Sequence, residues 1–235
     1  MSDILKIDQW RKPTALPAPP SRDQIHLWKI DLLCPGLDLS PLLSGDERRR
    51  QAKLLNRHDR ILFGNARGVL RQILSGYTNT PPADIPLCYG EKGKPRLPSS
   101  CGEIQFNLSH AGSMALLVVS TGVPVGIDLE PLAQRKNLRR IARKVFAPEL
   151  FQQIDSLSEA DFNGAFYRHW TALEAQVKAV GTGVFTPTET SGTLPYINFE
   201  PQSGWCAAIA ADGTLPAARN WVTLQFSPDL GPRIG

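Results

Sequence analysis

Val125-Gly126-Ile127-Asp128-Leu129-Glu130 reads as a strand with two unlike faces. Strand side chains alternate, so Val125, Ile127 and Leu129 share one face while Gly126, Asp128 and Glu130 share the other. Two carboxylates two positions apart sit about 7 Å apart at the backbone and can converge on one small target. At about 4 Å and an effective dielectric near 20 they would repel by roughly 4 kcal/mol. A hard divalent cation between them relieves that repulsion, and Mg²⁺ is commonly held by one or two carboxylates plus water and phosphate oxygens. An edge strand whose wet face carries Asp and Glu is the plainer reading of the same six residues.

Phe166 to Gly181 reads as a helix: it is free of proline, carries Ala172, Ala175 and Ala179, and ends at Gly181. Trp170, Glu174 and Lys178 are spaced by four and stack along one helix face. A surface Glu–Lys pair worth a few tenths of a kcal/mol would account for the charges. It does not account for the tryptophan on the same stripe, or for the Gly-Thr-Gly-Val loop from Gly181 to Val184.

Together the two stretches resemble the 4′-phosphopantetheinyl transferases, of the larger kind that activates surfactin synthetase. That family pairs a Gly-hydrophobic-Asp-x-Glu strand with a later Trp-Ser/Thr-x-x-Glu-x-x-x-Lys helix. Here these are Gly126 to Glu130 and Trp170 to Lys178, with Gly93-Lys94-Pro95 and Phe106-Asn107-Leu108-Ser109-His110 upstream in the family's order. The resemblance implies an α+β fold of two similar α/β subdomains related by a pseudo-twofold, with the site between them. A boundary near Gly122 would give an N-terminal half, 1–122, with the coenzyme A nucleotide contacts. The C-terminal half, 123–235, would carry the metal ligands and catalytic helix.

The activity implied is transfer of 4′-phosphopantetheine from coenzyme A to a serine hydroxyl of an apo carrier protein, releasing adenosine 3′,5′-bisphosphate. The resemblance assigns Mg²⁺ to Asp128, Glu130 and Glu174, and catalysis to Glu174 as base and Lys178 at the leaving phosphate. Coenzyme A contacts fall to Lys94, Ser109, His110, Asp128 and Lys178, with the 3′-phosphate assigned to the Arg48, Arg49 and Arg50 cluster. Those arginines equally fit a solvated helix face, and a lone histidine at a strand end equally fits a structural role. One departure is Leu173, where many relatives carry lysine beside the glutamate; it removes one positive charge from near the phosphates.

At 235 residues with 42% hydrophobic content, the chain can bury a real core in one large domain or two small ones. Its net charge of +4 suits acidic partners but is too small to argue for nucleic acid. Cys34, Cys88, Cys101 and Cys206 show no metal-ligand spacing. Asp3, Lys6 and Asp8 stand where a signal peptide would be apolar, and no stretch has transmembrane length, so a cytoplasmic protein without membrane or nucleic-acid partners is expected. Two halves forming one site make a monomer sufficient. After Glu130 come Arg135, Lys136, Arg139, Arg140, Arg143 and Lys144 with no acid among them, a docking surface suited to an acidic carrier. A nucleic-acid module using Arg48 to Lys53, a non-catalytic carrier-binding protein and another Mg²⁺-dependent phosphate enzyme are the competing readings.

Residues 1–23 carry Pro13, Pro17, Pro19 and Pro20 and read as a loosely tethered extended arm. A strand is expected at 25–30, a helical region from Ser40 or Ser44 to Tyr77, and a strand at 104–109 followed by a turn at Ser109 to Gly112. A further strand is expected at 114–119, helices across 137–160, a turn-rich stretch after Gly183, and strands near 196–199, 205–210 and 221–226.

Overall fold

The computed structural model describes residues 4–90, 93–181 and 193–230. In chain order the strands and helices are β1 (Leu5–Lys6), β2 (Ile25–Asp31), α1 (Gly45–Ala52), α2 (Arg57–Thr78), β3 (Cys88–Tyr89) and β4 (Pro95–Arg96). Then follow β5 (Ile104–Ala111), β6 (Met114–Thr121), β7 (Val125–Pro131), α3 (Leu138–Val145), α4 (Pro148–Asp155) and α5 (Glu159–Val180). The chain closes with β8 (Tyr196–Glu200), β9 (Trp205–Ala211) and β10 (Trp221–Gln225). The Gly-Thr-Gly-Val loop beyond Gly181 and the turn-rich stretch after Gly183 begin outside the described residues.

The fold is α+β. Its two four-stranded sheets have the orders β10-β2-β6-β5 and β1-β8-β9-β7. Setting aside the small β3–β4 hairpin, each half runs strand, helices, then two strands, and in each the last of these strands lies between the other two. The chain ends are exchanged. β10 adds in parallel to β2, and β1 adds in parallel to β8. A division at 122 is therefore crossed by a strand at each end of the chain.

The alternation of β7 explains how the layers stack. Val125, Ile127 and Leu129 face Ile25, Leu27, Leu116 and Val118 of the other sheet. On that other sheet Trp28, Ile30, Leu117 and Val119 point the opposite way and are covered by Val69, Leu70, Ile73 and Leu74 of α2. On the far side, Ala172, Ala175 and Ala179 of α5 lie on Ala208 and Ala210 of β9. Small residues on both surfaces let this helix approach the sheet closely, in the order helix, sheet, sheet, helix.

Three sequence expectations are corrected. The helical region before Tyr77 is broken at 53–56, because the Asn56 side chain accepts from the His58 N–H and starts α2 as a separate helix. Ser109, His110 and Ala111 are not a turn: they remain in β5, paired with Leu116, Ala115 and Met114. The N-terminal arm is not loose. Arg11 N–H donates to Thr223 O, Gln225 N–H donates to Arg11 O, and Leu16 is buried against Gly76. Proline forbids helix here but leaves the neighbouring backbone groups free to pair.

Tyr77 ties α2 to the sheet through a buried polar pair. The Trp28 indole N–H donates to the Tyr77 oxygen at 2.8 Å, and His26 Nδ1 lies 2.8 Å from the same oxygen. Indole can only donate, so the Tyr77 oxygen accepts from Trp28, and its own proton is free for a neutral His26 Nδ1. Burial, with Arg11 adding, lowers the His26 pKa from 6.5 to about 4. The unfolded chain takes up that proton more readily than the fold does. Stability is thus complete above about pH 6.5 and declines as pH falls towards 4, by at most about 3 kcal/mol. In a pH series of thermal midpoints, His26→Gln, which keeps an acceptor but does not titrate, should show a shallower acid decline than wild type. An equal decline would place the acid sensitivity elsewhere.

Candidate active site

The site lies where β7, an edge strand, meets α5 and β5. Ser158 opens α5 by accepting from the Asp161 N–H, and Gly181 closes it at φ 86°, so the frame of the helix is fixed at both ends. Gly126 lets β7 press on this helix. A Cβ at Gly126 would stand 2.0 Å from Ala175 O and 2.3 Å from Ala179 N. On the other edge, Asn107 Oδ1 accepts from the Ile127 N–H at 2.9 Å, joining β5 to β7.

These contacts bring Asp128, Ser109 and Lys178 together. Lys178 Nζ is 2.5 Å from Asp128 Oδ1 and 3.2 Å from Ser109 Oγ, and Ser109 Oγ donates to Asp128 Oδ1 at 3.0 Å. Asp128 is only 5% exposed, and its second oxygen, Oδ2, is buried without a hydrogen-bond partner among the described residues. A buried acceptor left unpaired costs about 1–3 kcal/mol, more when charged.

Glu130 and Glu174 both feel the charge of Asp128. Burial and then the Asp128 charge raise the Glu130 pKa, while Arg135, the Trp170 indole and Lys178 oppose the rise. Burial likewise raises Glu174, with Asp128 and Glu130 adding and Lys178 opposing. Trp170 also stacks on Phe166, with centroids 5.9 Å apart, so it both packs the helix and reaches the site. Among the described residues no group of three His, Cys, Asp or Glu side chains is arranged to hold a metal ion. The Asp128 charge contributes to raising both glutamates, and the Lys178 ammonium is paired with Asp128. The donor set of hard oxygens with one unpartnered atom nonetheless matches what a divalent cation takes.

Ser109 and His110 diverge, as neighbours on a strand must. Ser109 turns to Asp128, while His110 lines a pocket of about 230 Å³ with Phe63, Ala66, Arg67, Leu70, Pro95 and Leu108. Burial, then Lys178 and Arg67, lower the His110 pKa, which places it between the carboxylate cluster and α2. Of the three clustered arginines, Arg48 donates to Leu43 O and Arg49 to Asp46. Arg50 lies over the Tyr89 ring, 4.4 Å from its centroid, and Arg67 is 5.8 Å from the same ring. Arg67 is the residue the sequence reading missed. It sits four positions after Phe63 in a helix that also carries Arg60 and Arg71, and only packing shows that it lines the His110 pocket. The Lys94 ammonium donates to Val125 O at 3.1 Å and Ala179 O at 3.0 Å.

Comparison with known proteins gives the family. The profile of the 4′-phosphopantetheinyl transferase superfamily matches residues 124–214, the span that carries β7, α5 and β9. Over 223 residues the chain is 34% identical to the 4′-phosphopantetheinyl transferase HetI of Nostoc sp., covering 85% of this chain and 94% of that protein. It is 34% identical over 145 residues to the 4′-phosphopantetheinyl transferase AcpT of Escherichia coli, covering 62% of this chain and 68% of that protein. To the 4′-phosphopantetheinyl transferase gsp of Aneurinibacillus migulanus it is 28% identical, over 63% of this chain and 60% of that protein. The chain belongs to the 4′-phosphopantetheinyl transferase superfamily and is an enzyme of that class.

Proposed function

We propose that this enzyme, of the larger surfactin-synthetase-activating type, moves 4′-phosphopantetheine from coenzyme A to a serine hydroxyl of an acidic apo carrier protein, with Mg²⁺, as a cytoplasmic monomer. The observation that carries the reading is the buried, unpartnered Oδ2 of Asp128 amid Glu130, Glu174 and Lys178. Asp128, Glu130 and Glu174 would hold the cation, and the chemistry it supplies when bound is neutralisation of pyrophosphate charge.

The chain's own residues do the rest by positioning and electrostatics, the main contributions in phosphoryl-type transfer. Glu174, raised by burial, is a better proton acceptor than a free carboxylate and takes the serine proton. The Lys178 ammonium, held at Asp128 and Ser109, stands beside the leaving phosphate. The pocket of Phe63, Leu70, Leu108 and Pro95 offers apolar walls for the base, and Arg67 and His110 offer charge and hydrogen bonds for phosphate. Arg50, over Tyr89, is the arginine of the cluster directed to that side.

The carrier surface is placed after Glu130. Arg139 is already paired with Asp155 and Glu159, and Arg143 lies over Phe151. Arg135, 3.9 Å from Glu130, and the exposed Lys136, Arg140 and Lys144 remain for an acidic partner. Nucleic acid is the weaker fit, because Arg48, Arg49 and Arg50 have partners within the fold. Among the described residues no helix is long and apolar enough to cross a membrane. The test is to incubate the protein with coenzyme A, Mg²⁺ and an apo carrier and weigh the carrier by mass spectrometry. A gain of the phosphopantetheine mass, abolished by chelator, is expected; an unmodified carrier across acyl, peptidyl and polyketide types would overturn the reading.

A further inference from the structure

Lys94 donates to one carbonyl on each of the two elements that build the site. Among the described residues neither carbonyl has a strand or helix partner to use. Val125 O opens β7, the edge strand of its sheet, and Ala179 O lies in the last turn of α5, where carbonyls lack intrahelical donors and carry the negative end of the helix dipole. Burial and Arg96 pull the Lys94 pKa down to about 8, with Asp212 acting against them. A lysine placed there at such a cost is held by what it bonds. Its own segment is fixed as well, since the Gly90 N–H donates to Lys94 O at 3.0 Å. Between its two partners lies the Gly126 contact with Ala175 and Ala179.

We infer that Lys94 is a positioning residue: its ammonium latches the start of β7 to the last turn of α5 and so sets the separation of Asp128 from Glu174 and Lys178. Val125 is three residues before Asp128, and Ala179 directly follows Lys178, so slippage at the latch is transmitted to both sides of the cluster. Tyr89 and Pro95, paired in the same small hairpin, stand beside Arg50 and in the His110 pocket. The hairpin therefore also connects that pocket to the catalytic helix. This inference rests on the transferase reading above.

The test compares wild type with Lys94→Met, which has no donor, and Lys94→Gln, which keeps one, all well below their unfolding temperatures. Three quantities are measured: Mn²⁺ affinity without coenzyme A, kcat for carrier modification, and affinity for coenzyme A and for dephospho-coenzyme A. A displacement near 1 Å can cost about 100-fold in rate, so Lys94→Met should lose at least about tenfold in kcat and bind Mn²⁺ more weakly. Lys94→Gln should fall between, and it carries the comparison if Lys94→Met does not fold. Affinity for the two nucleotides should change little and equally. A loss of coenzyme A affinity that vanishes with dephospho-coenzyme A would overturn the inference by making Lys94 a 3′-phosphate contact. A lower thermal midpoint with unchanged kcat and Mn²⁺ affinity would overturn it by reducing Lys94 to fold stability alone. A wild-type protein that neither binds Mn²⁺ nor modifies a carrier would overturn the transferase reading, and this inference with it.

Discussion

Gly126→Ala should be the most destabilising single-methyl change in this protein. The added Cβ would meet Ala175 O at 2.0 Å, Ala179 N at 2.3 Å and the Lys178 carbonyl carbon at 2.8 Å. All three are backbone atoms of α5, so no side chain can rotate away, and the strand or the helix must shift. Overpacking a rigid interior costs about 1–3 kcal/mol, and a backbone clash belongs at the upper end or beyond. For a chain of this size about 3 kcal/mol lowers the thermal midpoint by roughly 6–12 °C. Turnover should fall further than stability, because the shift separates Asp128 from Glu174 and Lys178. Gly45→Ala is the control: a Cβ there meets only the Arg49 guanidinium, at 3.4 Å, and should be neutral or slightly stabilising. If Gly126→Ala melts and turns over like wild type, the close contact of β7 with α5 is wrong.

Glu174→Gln should produce the largest loss of rate without loss of fold. Glutamine keeps the shape and an oxygen but cannot accept the serine proton. Removing a general base costs about 10²–10⁴-fold. Coenzyme A affinity should be nearly unchanged, since the pocket proposed for the nucleotide is lined from α2, β4 and β5 rather than by Glu174. Stability at neutral pH should hold or rise slightly. The Glu174 pKa is raised, which means the fold disfavours its charged form, and a neutral side chain escapes that penalty. Single-turnover rates beside binding isotherms separate the two effects. A Glu174→Gln enzyme with wild-type rate would remove Glu174 from the role of base.

Asp128 illustrates how packing changes an expectation drawn from charge alone. Two carboxylates on one strand face suggest that removing one relieves repulsion. In the fold Asp128 is already paired with Lys178 and bonded by Ser109, so its loss would leave those groups short of a partner instead. The carboxylate strand and the Trp170–Glu174–Lys178 stripe were visible because both rest on short spacings, i+2 and i+4, that appear in any linear reading. Arg67, Tyr89 and the bonds of Lys94 were not visible, because their partners lie tens of residues away.

The sequence alone determined the alternation of β7, the glycine within it, the Trp170–Glu174–Lys178 stripe and the glycine that closes α5, since each depends on local backbone geometry. It also determined which hard-oxygen and basic side chains are available. The tertiary structure alone decided that β1 and β10 trade sheets, and that Ser109 and His110 serve opposite sides of β5. It likewise decided that Lys94 grips α5 and that one oxygen of Asp128 is buried without a partner. The physical reason is range. Periodicity records which face of an element is apolar, whereas the group opposite a given atom is settled only when distant segments close-pack and every buried polar atom must find a neighbour or go without.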